Sequence, residues 1–480
     1  MKLSKIMQGV KVKNEGFEDL DINEIKINTK EIESGDVYVC LKGSNTDGHL
    51  YVKEAKERGA VAIVCEREVD ISLPTIIVDD RRETLSKMCS NYFDNPEKKM
   101  KIVSVVGTNG KTTVALCAKK VLDHAGVKCG YIGTLGVMYD DKEITAKLTT
   151  PDPFFLYKTL FDMANAKVEV CIFELSAHAI YLKKAVTITP DVAVFTNFSQ
   201  DHLDYFKSMD SYKKVKKDYF LKENIKCAVL NADDELGREL ISGIKCKKFS
   251  YGIDNPADVF PVNLTCDDIG ITFVVNALDE IASISFAMCG KFNAENALAV
   301  ITLCYALGLT IDQISDGVKS INGIKGRCEM IKLSNNAKII IDYAHTPDGL
   351  KNIILSIKEF CTGRIITLFG CGGNRDSGKR KIMGEIAGEL SDFTIITTDN
   401  PRYEDPVQII CDIEKGVVSK TDNYIEIQNR EEAILYALKM SKANDVILIA
   451  GKGGEDYQEI MGIKYPFKDR EIVERILNDD

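Results

Sequence analysis

Ile102-Val103-Ser104-Val105-Val106-Gly107-Thr108-Asn109-Gly110-Lys111-Thr112-Thr113 is an apolar run that stops at a glycine and restarts, a few residues on, as a helical pattern over residues 114–125. The β-branched run reads as a buried strand, which puts the glycines at a strand-to-helix turn. Backbone N–H groups at a helix N-terminus attract anions, a lysine adds a full positive charge, and a threonine hydroxyl can ligate Mg2+. Gly107, Thr108, Asn109, Gly110, Lys111, Thr112 and Thr113 are therefore expected to hold the phosphates of a nucleotide. The spacing is a shorter variant of G-x-x-x-x-G-K-[ST], because Val105 stands where the first glycine would be. An ordinary glycine turn seldom supplies Gly-Lys-Thr at a helix start.

Working outward, short apolar runs at 61–64, 170–173, 192–195, 339–341, 365–368, 395–396 and 446–449 alternate with longer helical patterns. Continuous apolar strands between helices predict an α/β protein with parallel sheets covered on both faces. A chain of 480 residues is too long for one core. Two breaks divide it: the polar stretch 94–99 and the glycine-containing stretch 322–327. Three domains are expected, 1–99, 100–327 and 328–480.

Composition narrows the function. Hydrophobic residues at 45% and charged residues at 28% fit a folded globular chain. Sixty-two Lys plus Arg against 72 Asp plus Glu give a net charge of −10, which argues against nucleic acid as a partner. The 15 cysteines are scattered without a CxxC pair, as in a reducing compartment. No apolar signal core opens the chain and no run of about 18 apolar residues occurs. A cytoplasmic protein without membrane insertion is expected.

Two further segments follow strands: Phe173-Glu174-Leu175-Ser176-Ala177-His178, and Thr196-Asn197-Phe198-Ser199-Gln200-Asp201-His202-Leu203-Asp204. Carboxyl ends of neighbouring parallel strands share a ligand crevice, so Glu174, Asp201 and His202 could converge on the phosphate loop and hold Mg2+ there. Taken singly, each is better explained by a helix cap or a satisfied histidine; that both segments end strands favours the functional reading. His124 has no such setting and is expected at the surface. The run Lys213-Lys214-Val215-Lys216-Lys217 lies on a helix with apolar positions Tyr212, Val215 and Tyr219. It reads either as a solvated cationic face or as a crowded set in which one neutral amine takes up CO₂ as a carbamate.

These segments resemble the Mur ligase family. So do Thr149-Thr150-Pro151, Gly290-Lys291-Phe292-Asn293-Ala294-Glu295-Asn296, Gly326-Arg327, Asp342-Tyr343-Ala344-His345-Thr346-Pro347-Asp348, Phe369-Gly370-Cys371-Gly372-Gly373-Asn374-Arg375-Asp376 and Asp399-Asn400-Pro401-Arg402. The resemblance covers essentially the whole chain. It implies an N-terminal UDP-binding α/β domain, a central P-loop ATPase with a parallel sheet, and a C-terminal Rossmann-like domain that brings an amino acid. It also implies a cell-wall ligase using ATP and Mg2+. Such an enzyme converts a carboxylate of UDP-N-acetylmuramoyl-L-alanyl-D-glutamate to an acyl phosphate, which the incoming amine attacks.

By the same carry-over, Lys111, Glu174, His202 and Lys216 are catalytic. Tyr212 and Lys216 fit the family's Tyr-x-x-x-Lys, so a carbamylated Lys216 joins Thr112, Glu174 and His202 as a metal ligand, and the carbamate reading becomes preferred. Asn293, Arg327 and Asp342 would touch the nucleotide. Thr29, Thr149, Thr150, Ser176 and Lys184 would touch the UDP-muramyl peptide. Arg375, Asp399, Asn400, Pro401, Arg402, Gly451 and Glu455 would form the amino-acid pocket. Members using meso-diaminopimelate carry Asp-Asn-Pro-Arg, as at 399–402; a guanidinium suits a second carboxylate and repels the ammonium of lysine. A monomer is expected. The chain departs from the family at Gly454, Leu148, Leu182, Lys184, Asn374 and Asn28-Thr29-Lys30. A paralogue taking L-lysine, another amino acid or an altered muramyl peptide is the second reading, and a non-ligating ATPase or switch the third.

Overall fold

The computed structural model describes residues 1–14, 16–43, 46–146 and 148–479. The chain divides into two compact units. The first comprises residues 1–104, 127–191 and 224–226, and the second residues 105–126, 192–223 and 227–480.

In the first unit, strands Ile25–Lys26, Val37–Val39, Ala62–Cys65 and Thr75–Ile77 pair in that order, all parallel. Tyr38, Ile63 and Cys65 pack there with Val52 and Ala55 of helix Val52–Glu57. Helix Arg81–Tyr92 follows, its start fixed by Asp80, which accepts from the Arg82 and Glu83 amides. A second layer pairs Val170–Glu174 in parallel with Cys129–Gly133, which continues antiparallel to Gly136–Tyr139 and Lys142–Ile144. Helix Pro153–Asn165 meets helix Arg81–Tyr92 through a Tyr157–Ser86 hydroxyl pair at 3.0 Å.

In the second unit, Val192–Phe195, Cys227–Asn231, Lys247–Tyr251 and Val259–Cys266 run parallel. The sheet then turns antiparallel through Ile271–Ala277 and Glu280–Phe286. The expected parallel strands are thus extended by antiparallel ones: Ile271–Ala277 alternates buried and exposed positions, the pattern of a sheet wetted on one face. Helix Lys291–Ala306 is apolar nearly all round and buried along its length.

A six-stranded sheet completes this unit. Its order is Glu329–Lys332, Lys338–Asp342, Val446–Ala450, Ile365–Phe369, Phe393–Ile396, Tyr424–Glu426. Only the first pairing is antiparallel. The carboxyl ends at Asp342, Phe369, Ile396 and Ala450 thus open on one edge, where open α/β sheets take their ligands. Beneath them Arg430 and Asp469, both fully buried, join through two 2.8 Å contacts, and Arg430 also donates to Ala450 O at 3.0 Å.

Candidate active site

The strand Lys101–Val106 ends at the phosphate loop and helix Lys111–His124 starts from it. Gly110, at φ +81°, occupies the position before the helix, and a Cβ there would lie 2.4 Å from Asn296 Oδ1. At Gly107 a Cβ would lie 1.8 Å from Thr196 Oγ1. Close approach requires both glycines, and at Gly110 the left-handed backbone requires one as well. The segment after strand Val192–Phe195 grips the loop: Thr108 N donates to Asn197 O (2.9 Å), Asn109 N to Asn197 Oδ1 (2.8 Å), and Thr196 Oγ1 to Asn109 O (2.6 Å). Lys111 Nζ folds back on the carbonyls of Gly107 (3.0 Å) and Thr108 (2.9 Å), so its charge sits over the loop.

Helix Met209–Phe220 settles the lysine run. Lys213 and Lys217 pair with Glu239, and Lys214 with Asp218, as a solvated face does. Lys216 is different: it is fully buried beside Tyr212 and Tyr219, and Val215 is only half-buried. The i, i+4 spacing from Tyr212 puts Lys216 on the inward stripe. Its amine donates to Thr108 Oγ1 at 2.9 Å and lies 4.4 Å from the centre of the Tyr212 ring. Burial, with the charge of Lys111, holds it well below the ordinary lysine pKa. A neutral amine at this position is the form that takes up CO₂.

Asp201, also buried, faces His202 Nε2 at 3.4 Å, Lys379 Nζ at 3.7 Å and His345 Nε2 at 3.9 Å. Burial alone would raise its carboxyl, but Lys379, His202 and His345 hold it well below the usual carboxylate range. Lys379 is a fixed cation beside it, while burial lowers His345 to about 4 and leaves that imidazole neutral at pH 7. Arg327 closes another side: its Nη2 donates to Thr112 Oγ1 at 3.0 Å and its guanidinium stacks on Tyr343 at 4.3 Å. Asp342 accepts from Cys328 N (2.7 Å) and Ala344 N (2.8 Å). Asn293 donates to Cys289 O and accepts from Asn296, the residue against Gly110. Asn293, Arg327 and Asp342 thus belong to the surroundings of one loop. His124 is exposed, as expected.

The same unit carries the residues expected to form the amino-acid pocket. Asn400 Nδ2 donates to Glu455 Oε2 at 2.9 Å, and the buried Lys452 reaches Asn400 Oδ1 (3.1 Å) and Glu455 Oε2 (3.2 Å). Burial raises the Glu455 carboxyl despite Lys452. Arg402, at φ +52°, donates to Gly373 O (2.8 Å) and Glu459 (3.2 Å). Arg375 is exposed, its Cγ 3.8 Å from the place of a Gly372 Cβ that would also meet Arg402. Asp399 Oδ2 lies 2.6 Å from where a Gly451 Cβ would be, and the Pro401 carbonyl oxygen lies 2.0 Å from where a Gly373 Cβ would be. The stretch 322–327 meets this pocket: a Cβ on Gly326 would strike Gly454 N at 1.9 Å.

In the first unit, Glu174 is fully buried and accepts from Tyr131 OH, Thr134 N (2.9 Å) and Thr134 Oγ1 (3.1 Å). Thr149 meets Thr134 at 3.1 Å; Thr150 Oγ1 donates to Glu174 O (2.8 Å) and accepts from Ser176 N (3.0 Å). Lys184 pairs with Asp152 (2.9 Å) and reaches Thr150 O (3.3 Å). Glu174, Thr149, Thr150, Ser176 and Lys184 form one network. Thr29 lies apart from it, in the turn Thr29–Glu31. Tyr131, Thr134 and Lys379 complete these clusters without any sequence signal of their own, and Asn296, which ends the quoted segment 290–296, reaches Gly110 only through the fold.

A phosphate loop between strand and helix, a buried lysine against it, and a second pocket on the neighbouring sheet define a nucleotide-using α/β ligase. The chain belongs to the Mur ligase family. Residues 21–104 match the model of the Mur ligase family catalytic domain, 105–304 that of the Mur ligase middle domain, and 326–453 that of the Mur ligase glutamate ligase domain. The UDP-N-acetylmuramoyl-L-alanyl-D-glutamate–2,6-diaminopimelate ligase of Clostridium botulinum is 40% identical over 466 residues, 96% of each chain. The protein of that name from Clostridioides difficile is 36% identical over 485 residues, the full length of both. A solved structure of a ligase of that name superposes with a TM-score of 0.70 at 26% identity, covering 100% of this chain and 99% of the other.

Proposed function

We propose that this chain is an ADP-forming amide ligase that joins meso-diaminopimelate to the glutamyl carboxylate of UDP-N-acetylmuramoyl-L-alanyl-D-glutamate, the reaction named for its relatives. The pocket of Asn400, Arg402, Lys452 and Glu455 carries the reading, because it lies in the same unit as the phosphate loop. A nucleotide hydrolase or switch has no use for it. In this reading the chain works as a cytoplasmic monomer of three domains, 1–99, 100–327 and 328–480. Among the described residues no helix is long and apolar enough to cross a membrane.

The residues fit Mg-ATP in a particular way. Among the described residues no three His, Cys, Asp or Glu gather as a metal set. In the second unit the donors for a cation would be the Thr112 hydroxyl, His202, and Lys216 once its buried neutral amine carries a carbamate; Glu174 keeps the role that the family resemblance gives it. When bound, Mg-ATP supplies the phosphoryl group and charge neutralisation that activate the carboxylate. Lys111 exchanges the loop carbonyls for phosphate oxygens, and Arg327, held against Tyr343, presents its guanidinium beside Thr112. Thr149, Thr150, Ser176 and Lys184 bind the muramyl peptide, with Glu174 fixed by Tyr131 and Thr134. Arg402 and Arg375 take the distal carboxylate of diaminopimelate and Glu455 its ammonium, leaving the other amine to attack.

Phosphate release with UDP-N-acetylmuramoyl-L-alanyl-D-glutamate, Mg-ATP and amino acid tests this reading. Release is expected only with all three present, and meso-diaminopimelate should outperform LL-diaminopimelate and L-lysine. Release without amino acid defeats the ligase; equal rates with lysine defeat the assigned specificity.

A further inference from the structure

Two cysteines outside the proposed chemistry lie beside the nucleotide residues. Cys289 immediately precedes Gly290 and helix Lys291–Ala306, and its carbonyl accepts from Asn293. Cys328 immediately follows Arg327 and leads into strand Glu329–Lys332. The two sulfurs are 2.7 Å apart, although the residues are 39 positions apart in sequence. Cys328 is held at φ +49°, a conformation side chains avoid, with its amide fastened to Asp342 Oδ2 at 2.7 Å. A disulfide closes at about 2.05 Å, so the sulfurs need approach by only about 0.7 Å.

Both cysteines are more than nine-tenths buried, yet both line a cavity of about 590 Å³ shared with Gly323, Lys325 and Gly453. The exposed side chains of Lys325 and Ile269 also line it, so a small solute has a path to the sulfurs. The hydrogen bond with Cys289, together with burial and the Asp342 carboxylate, keeps the Cys328 thiol well above its ordinary pKa.

We propose that Cys289 and Cys328 form a reversible oxidation site, joined by a peroxide into a disulfide that pins helix Lys291–Ala306 to the segment entering the six-stranded sheet. Cys289 sulfur attacks one peroxide oxygen, the O–O bond breaks, and water leaves, giving a sulfenic acid. Cys328 sulfur then attacks the sulfenic sulfur, the S–O bond breaks, and a second water leaves with the Cys328 proton. Two thiols lose two electrons in all and one peroxide gains them. A dithiol reverses the bond. Because Asn293 and Arg327 flank the two cysteines, the link freezes both nucleotide contacts in one arrangement. That consequence for activity rests on the ligase reading above; the bond itself does not.

The test treats the full-length reduced protein with hydrogen peroxide, caps remaining thiols with N-ethylmaleimide and digests it with trypsin. The peptide 328–332, which contains only Cys328, is expected linked to the peptide 249–291, with fragmentation placing the link on Cys289 rather than on Cys266, lighter by two hydrogens, and freed by dithiothreitol. Oxidation of other thiols with 328–332 still capped overturns the proposal, as does its linkage to any other cysteine. In parallel, peroxide should remove most amino-acid-dependent phosphate release from the wild type, reversibly. Cys328→Ser and Cys289→Ala should retain release at the same dose. A linked protein of unchanged activity overturns the freezing of the site. Reduced protein with no activity at all counts against the ligase reading, while the peptide masses still decide the bond.

Discussion

Replacing Arg430 by Met removes the cation from an ion pair in which neither side chain has any exposure. The two 2.8 Å contacts to Asp469 and the donation to Ala450 O are lost together. Removing one partner of such a pair costs about 3–5 kcal/mol, mostly because the remaining charge is left in a medium of low dielectric. Asp469 opens helix Asp469–Asp479, whose N-terminal dipole returns up to about 1 kcal/mol to the stranded carboxylate. The net expectation is a loss of about 2–4 kcal/mol. Hydrogen exchange of the Val446–Ala450 amides measures it locally, so the result does not depend on two-state unfolding of a long chain. Those amides should exchange about 30- to 1,000-fold faster, at about 1.4 kcal/mol per tenfold. The double variant Arg430→Met/Asp469→Leu should recover much of the loss, since an apolar pair of similar volume replaces a buried ionic one at little cost. An acceleration under about threefold in the single variant would show that the pair matters no more than a surface salt bridge, and would refute the reasoning.

Lys111→Ala should reduce phosphate release by about 10²–10³-fold, the usual loss when one fixed positive group is taken from developing charge; near-normal turnover would remove the loop lysine from the chemistry. Lys216→Ala should nearly abolish ligation at any bicarbonate concentration, because no amine remains to carbamylate; full activity would return Lys216 to a packing role. Arg402→Leu should raise KM for diaminopimelate by about 10–100-fold, the worth of a charged hydrogen bond, and leave KM for ATP unchanged; equal changes in both would point to collapse of the pocket. Burial, with Asp233, raises the Glu295 carboxyl to about 7. The folded chain then binds more protons than the unfolded chain between about pH 4.5 and 7, so stability falls as pH rises through that window. Glu295→Gln should therefore gain on the order of 2 kcal/mol relative to wild type between pH 5 and pH 8, read from thermal unfolding at each pH; a gain independent of pH would contradict it.

Much of the architecture was legible because buried parallel strands announce themselves as unbroken β-branched runs. Every run named from the sequence overlaps a strand, from Ala62–Cys65, which starts one residue after the run 61–64, to Val446–Ala450. The antiparallel strands of 259–286 escaped, since half their residues face water and carry no continuous apolar signal. At the site, the phosphate loop was readable because its atoms are local in sequence. Lys216 was singled out by the family's spacing, and the fold supplies the physical reason: its neighbours find carboxylates at the surface, while it lies inward against Tyr212. The partners that fix these groups are remote. Asn296 packs on Gly110 and Lys379 faces Asp201 only because distant segments meet, which no local pattern encodes.

The contact of Gly326 with Gly453 and Gly454 leaves no room for even one carbon between two backbones. The stretch that presents Arg327 and the loop that presents Glu455 are consequently geared to each other, and neither can be displaced alone. A compound wedged between them by the thickness of a methyl group would disengage both from their partners at once, inhibiting the enzyme without resembling anything it binds.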